Sequence, residues 1–440
     1  MDTMVLQGVG NEVRSAINWG VAHGVPRVFI GRAESRGDLQ AALIRSRSNG
    51  EDRTTEVIEE IRARGPLYKG VMGYVATSHS AVRQVLTSDD FRSGFPGSDG
   101  AIGRLAVWSG MRGFHPVEPP SLLVTEPPDH TRYRKLVMRV FTRRAVQKLT
   151  DRTQEVADRL LDDLEGRGGR QVDLVEAYCS QLPLTIIAEI LGVPEEDRPR
   201  VLEFGEAAAP SLDLGLDYAQ HRRVRAGLQA FDQWLTVHLD NLRRNPGDNL
   251  LSELVAVRDE DGGLDELELK ATAGLVLAAG FETTVNLLSN GIALLHDHPE
   301  QRKLLEHDPS LWANAVEEVL RVDPPVLLTG RMALRDTVVA GRAVSAGSMV
   351  TTVLAGANRD PEVFDDPMTF DVARPNARDH ISFSAGRHHC LGAALARMEG
   401  EIGLRSLWER YPDLRLLPGA QRRTTRLLRG FETQPAILRP

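Results

Sequence analysis

Residues Phe383–Gly392, FSAGRHHCLG, set two histidines directly against one of only two cysteines in the chain. A metal cluster is the first reading. Structural zinc, however, draws ligands from pairs spaced by about two to five residues, commonly with a second such pair, and the chain has no second pair. Adjacent side chains also diverge, so His388, His389 and Cys390 do not all reach one ion.

The glycines point to a different chemistry. Gly386 and Gly392 bracket Cys390 in a stretch that leads into the helix-like ALARMEGEIGLRSLW. The sulfur therefore sits at a helix start, where free amide donors favour a thiolate over a thiol. A lone thiolate can be the single protein ligand of a haem iron, whereas an inert buried thiol is the commoner fate of an isolated cysteine. Cys179, inside the apolar run LVEAYCSQLPLTII, takes the inert reading.

The rest of the chain limits the alternatives. With 42% hydrophobic and 26% charged residues the composition is that of a globular protein, which excludes a disordered or fibrous chain. A net charge of −8 argues against nucleic acid as a partner. The two cysteines form no spaced framework, and the first residues, MDTMVLQGVGNEVRSAINWG, carry Asp2 and no continuous apolar core. Both features fit a reducing, cytoplasmic setting. Apolar runs such as Gly274–Phe281 fall short of the roughly 18 to 20 residues that span a bilayer, so no membrane segment is expected.

Residues 1–53 read as an N-terminal extension ending in the polar linker RSRSNGEDR, and 54–440 as one continuous domain. An amphipathic helix is expected over Thr55–Gly65, then short strands over Leu67–Thr77 and a long loop over Ser93–Pro120. Helices dominate to about Val322, as at Ile187, Ile190 and Leu191, which are closed by Gly192 and Pro194. β-branched residues return over Thr337–Leu354, a helix follows Cys390, and Arg422–Leu438 closes with strand and turn. The fold class is mainly α with a minor β part.

Phe383-x-x-Gly386-x-His388-x-Cys390-x-Gly392 resembles the haem-binding loop of the cytochromes P450, and four further segments match that family in the same order. The first is Ala279-Gly280-Phe281-Glu282-Thr283-Thr284, in a helix apolar almost all round and therefore buried. A carboxylate is costly there without a partner, Gly280 costs about 1 kcal/mol relative to alanine, and Thr283 can bond back to the Ala279 carbonyl. The others are Glu318-Val-Leu-Arg321, the Arg374 segment FDVAR, and His130-Thr-Arg-Tyr-Arg134 within a run of seven Lys or Arg and no acid.

The resemblance implies a helical triangular prism with haem b between the long central helix and the Cys390 loop. It implies Cys390 as the axial iron ligand and Glu282 with Thr283 as the catalytic acid and alcohol pair. His130, Arg134, Arg331 and His388 are the expected contacts to the haem carboxylates, with Ala279, Gly280, Phe383, Gly386 and Gly392 giving close approach. Glu318, Arg321 and Arg374 would form a buried scaffold, and Arg359 would be structural. Ala278, Val326, Leu327 and Phe431, with the 93–120 loop and Ala207–Tyr218, would line the substrate pocket.

The activity so implied is a monooxygenase of the soluble bacterial type, acting on a largely apolar small molecule by hydroxylation or epoxidation. Gly8-Val-Gly10 lacks the third glycine of a dinucleotide loop, and Arg342-Ala-Val-Ser345-Ala-Gly347 lacks the glycine of a hydrolase nucleophile elbow. Electrons are therefore expected from outside, through a ferredoxin and its reductase steered by Arg132, Lys135, Arg139 and Arg143. A monomer is expected. A peroxide-driven enzyme and a haem-based ligand sensor are the rival functions.

Overall fold

The structure is a computed structural model that describes residues 12–47, 52–94, 105, 108–110, 115–116, 118–138, 143–166, 171–256 and 263–439. The long loop expected over Ser93–Pro120 falls mostly outside these residues.

The N-terminal part is helical. A helix over 12–19 and a single π turn lead into α1 (Val25–Glu34), and α2 (Leu39–Arg45) follows, capped by the Asp38 carboxylate accepting from Ala41 N. In α3 (Thr54–Ala63) the spacing of Val57, Ile58 and Ile61 puts all three on one buried face, the pattern of an amphipathic helix. Strands β1 (Leu67–Gly70) and β2 (Gly73–Ala76) form a hairpin, followed by α4 (His79–Thr87), capped by Ser78, and β3 (Phe91–Ser93).

The helical body includes α5 (Asp129–Met138), α6 (Arg143–Gly166), α7 (Gln181–Ile190), α8 (Arg198–Ala208), α9 (Tyr218–Arg244), a short helix over Leu250–Ala256, α10 (Glu266–Asp297), α11 (Pro299–His307) and α12 (Trp312–Val322). Strands β4 (Leu328–Ala333) and β5 (Met349–Val353) complete a five-stranded sheet in the order β1-β2-β5-β4-β3, and α13 (Ala393–Arg410) follows the cysteine loop. Within that sheet β2 and β5 run parallel and the other pairs antiparallel.

Helix α10 organises the body. Asp265 and Glu268 form a capping box at its start, satisfying two free amides reciprocally. Its 32 residues pack against α7, α8, α12 and α13. By length and composition it could cross a bilayer, contrary to the expectation from the apolar runs, but 72% of its most apolar window is buried inside the protein. That burial is what an apolar surface all round requires in a core helix.

Candidate active site

A cavity of about 240 Å³ opens beside the middle of α10. Leu275, Ala278, Ala279, Glu282 and Thr283 recur at helical spacing, so one stripe of α10 forms a wall. Val326, Leu328, Leu427, Leu428, Ala208, Ala209, Leu212, Leu123 and Val124 supply apolar walls, and Arg331 also lines the cavity.

Two expected pocket residues lie elsewhere. Leu327 packs with Leu43, Val57 and Val353 in a separate core cluster. Successive residues of an extended segment alternate in direction, so Val326 and Leu328 face the cavity and Leu327 faces away. Phe431 is buried in the main core beneath the Arg422 guanidinium, 4.2 Å from its ring centroid.

Glu282 is buried, and its Oε1 lies 3.0 Å from Arg423 Nη1, an ion pair whose alignment makes no hydrogen bond to either carboxylate oxygen. Burial raises its pKa, Arg423 works against that rise and Glu206 adds to it, with a net upward shift. The Thr283 hydroxyl donates to the Ala279 carbonyl at 2.8 Å. Gly280 points out of the cavity: a Cβ there would approach Ile187 Cδ1 of α7 to 3.0 Å, so this glycine serves helix packing rather than the cofactor side.

The cysteine loop is held by backbone bonds from Cys390 N to Phe383 O (2.9 Å) and from His389 N to Gly386 O (3.1 Å). Gly386 has φ +70°, and a Cβ would come within 2.5 Å of the Leu86 carbonyl, so the loop needs glycine to pass α4. A Cβ on Gly392 would meet no atom of the described residues within 4 Å. The Cys390 side chain is open to solvent yet crowded by surrounding protein. Burial pushes its thiol pKa up, against opposing pulls from the Gly392 backbone N–H, Arg134 and Arg397. The Gly392 N–H thus acts in the direction expected of a helix start.

The His130 and His388 ring centroids lie 4.5 Å apart. His130 is buried with Nε2 unpartnered among the described residues, and burial, then His388 and Arg134, lowers its pKa to about 4. His388 Nε2 meets Glu126 Oε1 at 3.1 Å. Glu126 also accepts from Arg387 (2.8 Å) and Ser93 N (2.6 Å); although burial opposes ionisation, these partners hold its carboxyl at about 2. Arg331 is buried, bonded to Thr329 Oγ1 and the Gly330 carbonyl, and burial pushes its pKa down to about 10.

Arg134 lies near enough to His130 for its charge to lower the His130 pKa. Its guanidinium donates to the His389 carbonyl at 2.8 Å, one residue from Cys390. His389, left without a role by the sequence, thus anchors that contact through its backbone. Arg132, expected on a partner-facing surface, is instead committed to Glu268 (2.6 Å) and the Gly263 carbonyl (2.7 Å), tying α5 to the start of α10. Arg139 and the Arg143 side chain fall outside the described residues. Lys135 is exposed.

Beneath the cysteine loop Glu318 receives Arg321 bidentately at 2.7 and 2.8 Å and Arg374 at 3.0 Å, all three buried. The guanidinium groups also bind the carbonyls of Asn358, Pro367, Thr369 and Asp365. A buried ion cluster is tolerated only when its remaining donors are satisfied in this way. Arg359 bonds Thr55 and the Val322 carbonyl. Phe383 packs under Arg397, 4.4 Å from its ring centroid.

Sequence reasoning missed Glu126 and Arg423. Glu126 stands in TEPPDHTRYR, where an acid ahead of a basic run was the available signal. Nothing local marks Arg423.

Comparison with known proteins places this geometry among haem enzymes. The family model described as Cytochrome P450 matches residues 197–308 and 310–432. The cytochrome P450 140 of Mycobacterium tuberculosis is 50% identical over 433 residues, covering 97% of this chain and 98% of that protein. A vitamin D(3) 25-hydroxylase of Pseudonocardia autotrophica is 42% identical over 326 residues, covering 73% and 78%. The crystal structure of Mycobacterium smegmatis CYP164A2 in its ligand-free state superposes with TM-score 0.80 at 32% identity, covering 91% of this chain and 99% of that one.

Proposed function

Because the chain belongs to the cytochrome P450 family and is a haem-thiolate monooxygenase with haem b as cofactor, we propose that Cys390 is the iron ligand and that the cavity receives a largely apolar organic molecule. His130, Arg331 and His388 would hold the haem carboxylates. The donor set supports that fit: His130 Nε2 is buried with no partner among the described residues, a buried Arg331 lines the cavity, and the space beside Gly392 would admit a Cβ. Bound haem supplies oxygen activation with two electrons, and thiolate donation favours O–O cleavage.

The chain's own residues orient the substrate and handle protons. The apolar lining excludes water and offers few fixed charges, which suits an apolar molecule. Glu282 and Thr283 share the cavity wall, the observation that carries the functional assignment. With its pKa raised and Arg423 at 3.0 Å, Glu282 can hold a proton or release it. The Thr283 hydroxyl donates to the Ala279 carbonyl, and its oxygen keeps lone pairs free to accept.

A ferredoxin and its reductase would deliver electrons to the face that carries Arg134 and Lys135, and the protein would act as a cytoplasmic monomer. Two unpaired cysteines and the buried α10 support that setting. Product formation from a small-molecule panel should require ferredoxin, reductase and oxygen. Equal turnover with peroxide alone would favour the peroxide-driven rival, and no product under either condition would favour a sensor.

A further inference from the structure

The segment Arg423–Leu428 belongs to no strand apart from a single bridge between Leu428 and Val326, yet it contributes both Leu427 and Leu428 to the cavity. An irregular loop holds its shape only if its backbone polar groups are satisfied. Here two buried side chains do this from opposite sides. Arg47, just after α2, donates Nη1 to the carbonyls of Thr425 (2.6 Å) and Leu428 (3.2 Å), and Nη2 to the carbonyl of Arg423.

On the other side the Asp213 carboxylate accepts the amides of Arg426 (3.0 and 2.8 Å) and Leu427 (3.0 Å). Asp213 ends the turn whose Ala209, Ser211 and Leu212 also line the cavity. Three successive carbonyls just beyond it are held as well: Leu214 by Arg426, Gly215 by Arg27 (3.4 Å) and Leu216 by Trp19 Nε1 (2.9 Å). Residues 19–47 thus reach both irregular walls of the cavity. Burying a guanidinium is costly, and a fork that satisfies three carbonyls at once is one way to offset the cost.

We propose that Arg47 is a positioning residue for the substrate site: it sets the Leu427–Leu428 wall and, through the Arg423 carbonyl, the segment whose side chain pairs with Glu282. This rests on the reading that the cavity beside α10 receives the substrate. Arg47 touches neither substrate nor cofactor and acts through the loop. Asp213 is its counterpart on the amide side.

The test uses the haem-loaded full chain and two iron-binding probes, imidazole and 4-phenylimidazole, each titrated by its spectral shift. Only the second carries a ring that needs the cavity wall. Arg47→Ala should weaken 4-phenylimidazole about tenfold and leave imidazole within about twofold. A merely structural role would weaken both. Arg47→Lys, which keeps the charge without the fork, should fall between parent and Arg47→Ala. In a Leu428→Ala background the Arg47→Ala effect should shrink to about twofold or less, because the wall it positions has been removed.

A parent that binds imidazole but excludes 4-phenylimidazole would overturn the reading of the cavity and the proposal with it. An Arg47→Ala protein with the parent's ratio of the two affinities would overturn the proposal alone. Should that variant not hold haem, Arg47→Lys decides: a shifted ratio supports the positioning role, and an unchanged ratio rejects it.

Discussion

Glu399 lies on α13 with 1% of its surface exposed, and neither carboxyl oxygen has a hydrogen-bond partner among the described residues. The neighbouring Thr284 hydroxyl is spent on the Gly280 carbonyl at 3.2 Å. Burial therefore pushes the carboxyl up to about 8, against an opposing pull from Thr284. In the unfolded chain the same group ionises near pH 4.5. Between these values the folded state holds a proton that the unfolded state has lost, so stability falls as pH rises and levels off above about 8.

The span corresponds to roughly 5 kcal/mol. Over 440 residues the unfolding entropy is about 0.9 kcal/mol per degree, so the loss amounts to about 5 °C of melting temperature. Glu399→Gln removes the ionisation and keeps the shape. Melting curves of parent and variant at fixed haem loading should nearly coincide at pH 5 and separate by about 5 °C at pH 8.5, the variant being the more stable. Parallel curves across that range would refute the account by showing that Glu399 is charged and partnered in the folded protein.

Glu318→Gln should cost about 3 to 5 kcal/mol by stranding Arg321 and Arg374, seen as a lower denaturation midpoint together with poorer haem retention. Thr283→Ala should divert reducing equivalents to peroxide, measured as product formed per electron pair supplied, while unchanged coupling would show that protons arrive by another route. Lys135→Ala should weaken ferredoxin docking most at low salt. Arg132→Gln should instead lower thermal stability with a salt-independent effect, because Arg132 is held by Glu268 inside the fold.

What could be read from the sequence was what local spacing encodes. The i,i+3 spacing of Glu318 and Arg321, the Thr283 back-bond and the helix after Cys390 are one-turn relations, and each is observed as a distance or an element boundary. Directions within elements were also recoverable but were not used. Strand alternation separates Leu327 from Val326 and Leu328, and one step of a helix turns Gly280 away from Ala279.

Pairings across long sequence separations could not be read. Arg387 and Glu126 are 261 residues apart, and Arg47 and Arg423 are 376 apart. Such pairs leave no periodic trace, and a buried arginine looks in sequence like a solvated one. The same gap explains Arg132, whose basic neighbourhood suggested a partner surface while its side chain is turned to Glu268.

The central claim is that Cys390 alone among the residues of FSAGRHHCLG ligates iron. The most direct measurement is the Soret band of the reduced carbonyl complex in parent and Cys390→Ser. The parent should show the strongly red-shifted band of a thiolate-ligated haem and the variant should lose it, with His388→Ala and His389→Ala keeping the band. Retention of the band in Cys390→Ser would contradict the assignment.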